Sequence, residues 1–154
     1  MKQPALGASK KSKIKTQLKT PAARGGHRKT REEHAQETAQ DYVELIAKLI
    51  DETGEARAID IARRLSVTHV TVGRTIRRLQ RLGFVSVQPY RSIFLTSAGK
   101  DLAKESRHRH EIVLNFLISL GVPPAIAESD SEGIEHHVSK ETLLAFSKYM
   151  KRNS

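Results

Sequence analysis

The sequence predicts a mainly α fold: a winged helix-turn-helix, made of helices and a small two-stranded β-wing, followed by a second helical region. Three observations carry that expectation. Between residues 32 and 97 the patterns run helix, helix, tight turn, helix, hairpin. The apolar period drops from 3.6 to 2 after Gly83 and returns to 3.6 after Thr96. Residues 61–100 hold eight Lys or Arg and no Asp or Glu, the charge balance of a surface that meets phosphate.

Residues 1–31 carry ten Lys or Arg, no acid and no apolar period, and Gly25-Gly26 closes the stretch; a disordered basic tail is expected. From Glu32 to about Glu52, Val43, Ile46, Ala47 and Ile50 recur at helical spacing, with Tyr42, Leu45 and Leu49 widening the buried stripe and Gly54 ending it. A short helix over Ala58–Leu65 should bury Ile59, Ala62 and Leu65. Ser66-Val67-Thr68 makes a turn, and Thr68 is a good N-cap for a helix from His69 to about Leu82, lined inside by Val72, Ile76 and Leu79. Phe84–Gln88 and Ser92–Thr96 alternate as strands around Pro89-Tyr90-Arg91. Thr96 or Ser97 then caps a helix to about Leu120, which Gly121-Val122-Pro123-Pro124 breaks. A further helix carries Glu132, and Ser139 caps a last one with Leu143, Leu144, Phe146 and Met150 facing inward. The expected division is a tail at 1–31, a winged-helix DNA-binding domain at 32–97 and a helical domain at 98–154.

Composition removes several classes. The mean hydropathy of -0.48 and the lack of any long apolar run argue against a membrane span or a signal peptide, so a cytoplasmic protein is expected. With no cysteine, disulfides, thiolate metal sites and thiol catalysis are excluded, and any metal must take oxygen and imidazole ligands. The net charge of +10 coexists with an acidic stretch: residues 32–60 hold nine acids against two bases.

The third helix reads as a DNA reader. Arg74, Arg77, Arg78 and Arg81 lie opposite its apolar face, while Thr68, His69 and Thr71 sit at its N-terminal end, where such helices meet base edges. Arg91 occupies the tip of the wing. A solvated basic helix is the plainer alternative, but the turn, the hairpin and the missing acids agree on double-stranded DNA.

A second constellation concerns acids and histidines. At roughly 100° per residue, Glu132, Glu135 and His136 fall within an arc of about 100°, half of a metal site. Asp41 and Glu44 share a face of the first long helix, and His110 lies on the helix between. Each pair alone is an ordinary solvated face, and the residues by themselves leave both readings open.

Asp41-Tyr42-Val43-Glu44-Leu45-Ile46, the Arg109-His110-Glu111 step and Glu132-Gly133-Ile134-Glu135-His136-His137, at these separations, resemble the manganese transport regulator branch of the diphtheria toxin repressor family over about residues 35–150. The resemblance implies a metal-activated, homodimeric winged-helix repressor of manganese uptake genes, with a helical metal-binding and dimerisation domain. It implies two manganese(II) ions per subunit, held by Asp41, Glu44, His110, Glu132, Glu135 and His136 between the DNA-binding and dimerisation regions. Asp41 and the absence of Cys or Met from the set fit the manganese branch better than the iron branch. The SH3-like C-terminal domain of the iron-responsive relatives is expected to be absent, and the basic N-terminal extension departs from the shortest members. Leu114, Phe116, Leu117 and Ile118 are candidates for the dimer interface.

Two rival readings have sequence-level discriminators. A metal-independent winged-helix regulator sensing a small organic ligand would keep the basic middle and leave the acids as surface. A di-metal carboxylate oxidase normally uses two Glu-x-x-His pairs, whereas Glu105-Ser106-Arg107-His108 alone has that spacing here; no enzyme is expected.

Overall fold

The long helix α1 (Ala23–Thr53) forms the spine on which the remaining elements assemble: β1 (Ala56–Arg57), α2 (Ala58–Leu65), α3 (His69–Arg81), β2 (Val85–Val87), β3 (Ser92–Leu95), α4 (Ser97–Ser119), α5 (Pro124–His137) and α6 (Lys140–Arg152). The computed structural model describes residues 23–88 and 92–152, with side chains from residue 30 onward. The expectation of a disordered basic tail at 1–31 falls partly outside this range. Where it falls inside, it is corrected, because α1 starts at Ala23 rather than Glu32. Ala, Arg, Lys and Glu in residues 23–33 are good helix formers and let the helix run back past the Gly pair.

The first core forms where α1 presents Ala39, Tyr42, Val43, Ile46 and Leu49 to Ile61 and Ala62 of α2, Val72, Ile76 and Leu79 of α3, and Val85, Ile93 and Leu95 of the sheet, all buried. Ile59 is an exception to the expected α2 face. It is half exposed, and the fully buried Ile61 takes its place, since eight residues give too few turns to fix the phase of the stripe from sequence. Ser66 ends α2 in the left-handed region (φ 54°), and the Thr68 hydroxyl accepts the Thr71 N–H at 3.2 Å as the N-cap of α3.

The hairpin β2–β3 gains a third antiparallel strand, giving the order β1-β3-β2, with Ala56 opposite Ile93 and Val85 opposite Leu95. β1 is two residues long and Ala-Arg has little strand preference, so only the non-local pairing defines it. Pro89, Tyr90 and Arg91 lie outside the described residues.

α4 leaves the sheet at a close contact. Thr96 caps it through its hydroxyl and the Gly99 N–H at 3.1 Å, and donates from the same hydroxyl to the Gly83 carbonyl at 2.6 Å. A Cβ on Gly99 would fall 2.0 Å from the Phe84 carbonyl oxygen, so this crossing requires glycine. α4 then packs on α1, α5 and α6. Phe116 stacks on Phe146 of α6 (centroids 3.9 Å, interplanar 6°), with the Tyr149 ring edge-on at 5.7 Å. Phe116 is therefore used within the subunit, while Ile118 and Leu120 stay exposed; Leu144, expected inside α6, is also exposed. Leu143, also expected inward, is buried; adjacent helical residues point about 100° apart, so the two cannot share one narrow face.

Candidate metal centre and DNA-reading helix

Ala127 and Ser131 on α5 are fully buried, while Ala103 and Ser106 on α4 are buried on the side of α1, in the first core and against Glu44 respectively. Glu135 is the next residue in the α5 stripe after Ala127 and Ser131, four residues on, so helical geometry carries its carboxylate into the same dry seam, where its side chain is 4% exposed. Arg109 holds the end of α5 in place: its guanidinium donates to the main-chain carbonyls of Glu135 and Val138, the latter at 2.8 Å.

Around Glu135 the structure gathers groups from three helices. Its Oε2 lies 2.7 Å from Nδ1 of His110 on α4, and its Oε1 lies 3.5 Å from Nε2 of His136. That same Nε2 is 3.3 Å from Oδ1 of Asp41 on α1. Glu44, one turn beyond Asp41, accepts a hydrogen bond from the Ser106 hydroxyl at 2.9 Å. Glu132 lies with Oε1 4.0 Å from His110 Nδ1 and shares with Asp41, Glu44 and His136 a cleft of about 370 Å³. All six residues singled out from the sequence thus meet in one region between α1, α4 and α5.

Three further participants were not singled out from the sequence. Glu128 puts Oε1 3.5 Å from His110 Nε2, and one donor atom each from His110, Glu128 and Glu132 lie within 4.8 Å of one another. Its signal in the sequence was its place one turn before Glu132. Gln40, buried on α1, puts its Oε1 3.1 Å from Nδ1 of His136. Ser106 is the third.

The electrostatics follow from this crowding. Burial pushes the Glu135 carboxyl up to about 7, with Glu44 adding to the effect and His110 and His136 partly offsetting it. The hydrogen bond with Asp41 holds the His136 imidazole above its ordinary value, against the opposing effect of burial. Glu135, His110 and His136 have little access to water, whereas Asp41 and Glu132 reach solvent, so the charge that must be neutralised by a proton or a cation is above all that of Glu135. All the donors are oxygen or imidazole nitrogen, which suits a hard or borderline divalent ion.

On α3, Thr68, His69 and Thr71 are exposed at the N-terminal end, joined by Val70, which is 63% exposed and absent from the sequence expectation. An exposed apolar side chain there is suited to a thymine methyl. Arg74, Arg77 and Arg81 line a shallow concavity with Gln80. Arg78 departs from the expected DNA-facing row. It is half-buried, and its guanidinium donates to the main-chain carbonyl of Ala35 on α1. Arg91 lies outside the described residues.

Two matched regions bear on the identity of this arrangement. Residues 34–93 match the iron dependent repressor N-terminal DNA binding domain, and residues 96–153 match the iron dependent repressor metal binding and dimerisation domain. The chain belongs to the iron-dependent repressor family. Within that family it is similar to the transcriptional regulator MntR of Salmonella typhimurium, 56% identical over 79% of this chain and 77% of that protein. It is also similar to MntR of Escherichia coli, 54% identical over 79% of this chain and 78% of that protein. This iron-dependent repressor family member is accordingly a metal-dependent, DNA-binding transcriptional regulator of the MntR type. Among solved structures, a manganese-dependent transcriptional repressor in complex with manganese is 25% identical with a TM-score of 0.67, over 73% of this chain and 52% of that one. The manganese regulator SloR has the same fold at 23% identity and a TM-score of 0.65, over 73% and 53%. The chain spans about half the length of those solved structures.

Proposed function

We propose that this protein is a manganese(II)-responsive homodimeric repressor that binds operator DNA in the cytoplasm and controls manganese uptake genes. The observation that carries the reading is Glu135: a carboxylate in a dry seam whose two oxygens face two different imidazoles, His110 on one side and His136 on the other. A carboxylate so placed is a natural shared ligand, which supports two ions per subunit. Asp41, Glu44, His110, Glu132, Glu135 and His136 would hold them. Bound there, two divalent ions supply the four positive charges that balance the four carboxylates.

Asp41 and Glu44 reach from α1 toward Glu132 and Glu135 on α5, so mutual repulsion of these acids opposes docking of α1 on the α4–α5 pair. α1 also carries the core that seats α3. The charge balance of the cluster therefore sets how firmly the reading helix is fixed relative to the second helical region. In a homodimer that relation sets the spacing of two α3 helices, which must match successive major grooves. In this proposal Thr68, His69 and Thr71 meet base edges and Arg74 and Arg77 meet phosphates, and Arg91, outside the described residues, has the same role from its position in the sequence. On this reading the DNA-binding region is 32–97 and the metal-binding and dimerisation region 98–154, with residues 1–31 in front. The names and bound metal of the similar proteins, and a donor set without sulfur, support manganese over the iron of the family's name. The chain is read as a regulator rather than an enzyme, since its one Glu-x-x-His pair, Glu105 and His108, is exposed on α4. No helix of the described residues is long and apolar enough to cross a membrane.

The test is a binding titration of a labelled DNA library at fixed salt with manganese, iron, cobalt, zinc and chelator in turn. Operator selection and high affinity are expected with manganese and not with chelator. Equal affinity in both refutes the proposal. Copper and zinc bind such sites more tightly than manganese by intrinsic preference, so activation rather than affinity is the readout that identifies the metal.

A further inference from the structure

His136 is flanked on its two ring nitrogens by different chemistry. Nε2 faces Oδ1 of Asp41 at 3.3 Å and Oε1 of Glu135 at 3.5 Å, oxygens from two different helices. Nδ1 faces Oε1 of Gln40 at 3.1 Å. The His136 side chain is 7% exposed and Gln40 is 8% exposed; both border a cleft of about 250 Å³, and Gln40 is the direct partner on the Nδ1 side.

We propose that Gln40 is a positioning residue that fixes the tautomer of His136, holding the ring proton on Nδ1 so that Nε2 presents its lone pair to a cation between α1 and α5. The inference rests on the metal-site reading given above. A neutral imidazole has one proton and one lone pair, and the nitrogen that donates a hydrogen bond decides which nitrogen is left to ligate. Nε2 is the nitrogen beside the carboxylates, where the cation has its other donors. The proton must then sit on Nδ1, and a buried N–H needs an acceptor. The amide carbonyl of Gln40 supplies it, and its own N–H₂ end leaves Gln40 uncharged, so it adds nothing to the repulsion among the four acids. Gln40 also precedes Asp41 on α1. The residue that aims His136 and the residue that faces it are therefore delivered together when α1 docks, which makes the orientation of an α5 ligand depend on the DNA-binding half of the chain.

The experiment uses the full chain and three forms: wild type, Gln40→Leu and Gln40→Glu. Leu has nearly the shape of Gln but no acceptor, and Glu restores an acceptor. Manganese affinity is measured by calorimetry, and the melting temperature is measured in chelator. Gln40→Leu is expected to weaken manganese binding about ten- to a hundredfold, with a melting temperature in chelator equal to or above wild type, because an apolar side chain replaces a buried polar one. Gln40→Glu is expected to recover affinity to wild type or better. Wild-type affinity in Gln40→Leu overturns the proposal, as does equal weakening in both variants, which would report packing and not an acceptor. A second readout needs no variant: in ¹⁵N-labelled wild type loaded with diamagnetic cadmium, the proton coupled to the His136 ring must be on Nδ1, and a proton on Nε2 overturns the assignment. Failure of wild type itself to bind manganese would instead sink the metal-site reading, so the two are separable.

Discussion

Arg78, on α3, donates a hydrogen bond to the main-chain carbonyl of Ala35 on α1. Ala35 lies less than two turns before Asp41, so one side chain ties the reading helix to the helix that supplies two of the acids. Arg77, its neighbour in sequence, is exposed. The two arginines should therefore separate in experiment. Arg78→Met keeps the alkyl stem but leaves the Ala35 carbonyl without this partner, and is expected to lower unfolding free energy by about 1–3 kcal/mol. Arg77→Met should leave stability within about 0.5 kcal/mol. It should instead weaken DNA binding uniformly across sequences and reduce the slope of log affinity against log salt by about 1. Urea melts and salt titrations of both variants decide it; a stable Arg78→Met with a reduced salt slope would place Arg78 on the phosphate backbone.

The pH dependence has a defined sign. Glu135 is raised to about 7 in the folded chain, from an ordinary 4.5. Between those values the folded state holds a proton that the unfolded state has lost, so stability without metal falls as pH rises from about 4.5 to 7. His136, raised above its ordinary 6.5 by Asp41, acts in the same direction at higher pH, its contribution being complete below 6.5 and lost as pH rises through its folded value. In chelator the melting temperature is therefore expected to be higher at pH 5.5 than at pH 8. With manganese the trend should reverse, because the ligands must be deprotonated, and activation of DNA binding should fade over the same interval. A flat manganese response between pH 8 and 5.5 counts against imidazole ligation.

How much of this was readable beforehand follows from how local each signal is. The α3 helix, its Thr68 cap and its Val72, Ile76 and Leu79 face depend on residues within four positions of one another, and they stand where the sequence put them. Asp41 with Glu44, and Glu132 with Glu135 and His136, are also local patterns; that the groups meet across the fold came from the family resemblance and not from spacing. β1 escaped notice because its pairing partner is over thirty residues away. Gln40 and Arg78 escaped for a related reason. A polar residue next to an acid, or one arginine among four, has no period that marks its partner, and only the packing of α1 on α3, α4 and α5 distinguishes it.

Gly99 tests the junction between the two regions. A methyl group there would sit 2.0 Å from the Phe84 carbonyl oxygen and 3.2 Å from Leu95 Cδ2. The oxygen belongs to main chain that also accepts the Thr96 N–H at 3.0 Å, so it has little freedom to withdraw. Gly99→Ala is expected to destabilise by about 1–3 kcal/mol or more, despite the better helix propensity of alanine. Gly73, with open space around it, is the control: Gly73→Ala should be neutral or stabilising by up to about 1 kcal/mol. Denaturation midpoints of the two variants decide it, and equal behaviour would mean that α4 can shift away from the sheet.

Glu135→Gln should have opposite effects in the two states of the site. The amide has nearly the volume of the carboxyl and keeps an acceptor for His110, now 2.7 Å away, but it removes the charge whose burial raises this group to about 7. In chelator at pH 8, where the wild-type carboxylate is ionised, the variant is expected to be more stable by an amount on the order of 1–3 kcal/mol. At pH 5, where wild-type Glu135 is protonated, that advantage should shrink. In manganese the order should invert, since a neutral amide does not balance a cation, and the rise in melting temperature on adding metal should largely vanish together with metal-dependent DNA binding. Glu132→Ala combined with Glu135→Ala extends the comparison: a regulator indifferent to metal would keep its DNA affinity in that double variant, whereas loss of the manganese response with intact folding supports a switch built from these acids.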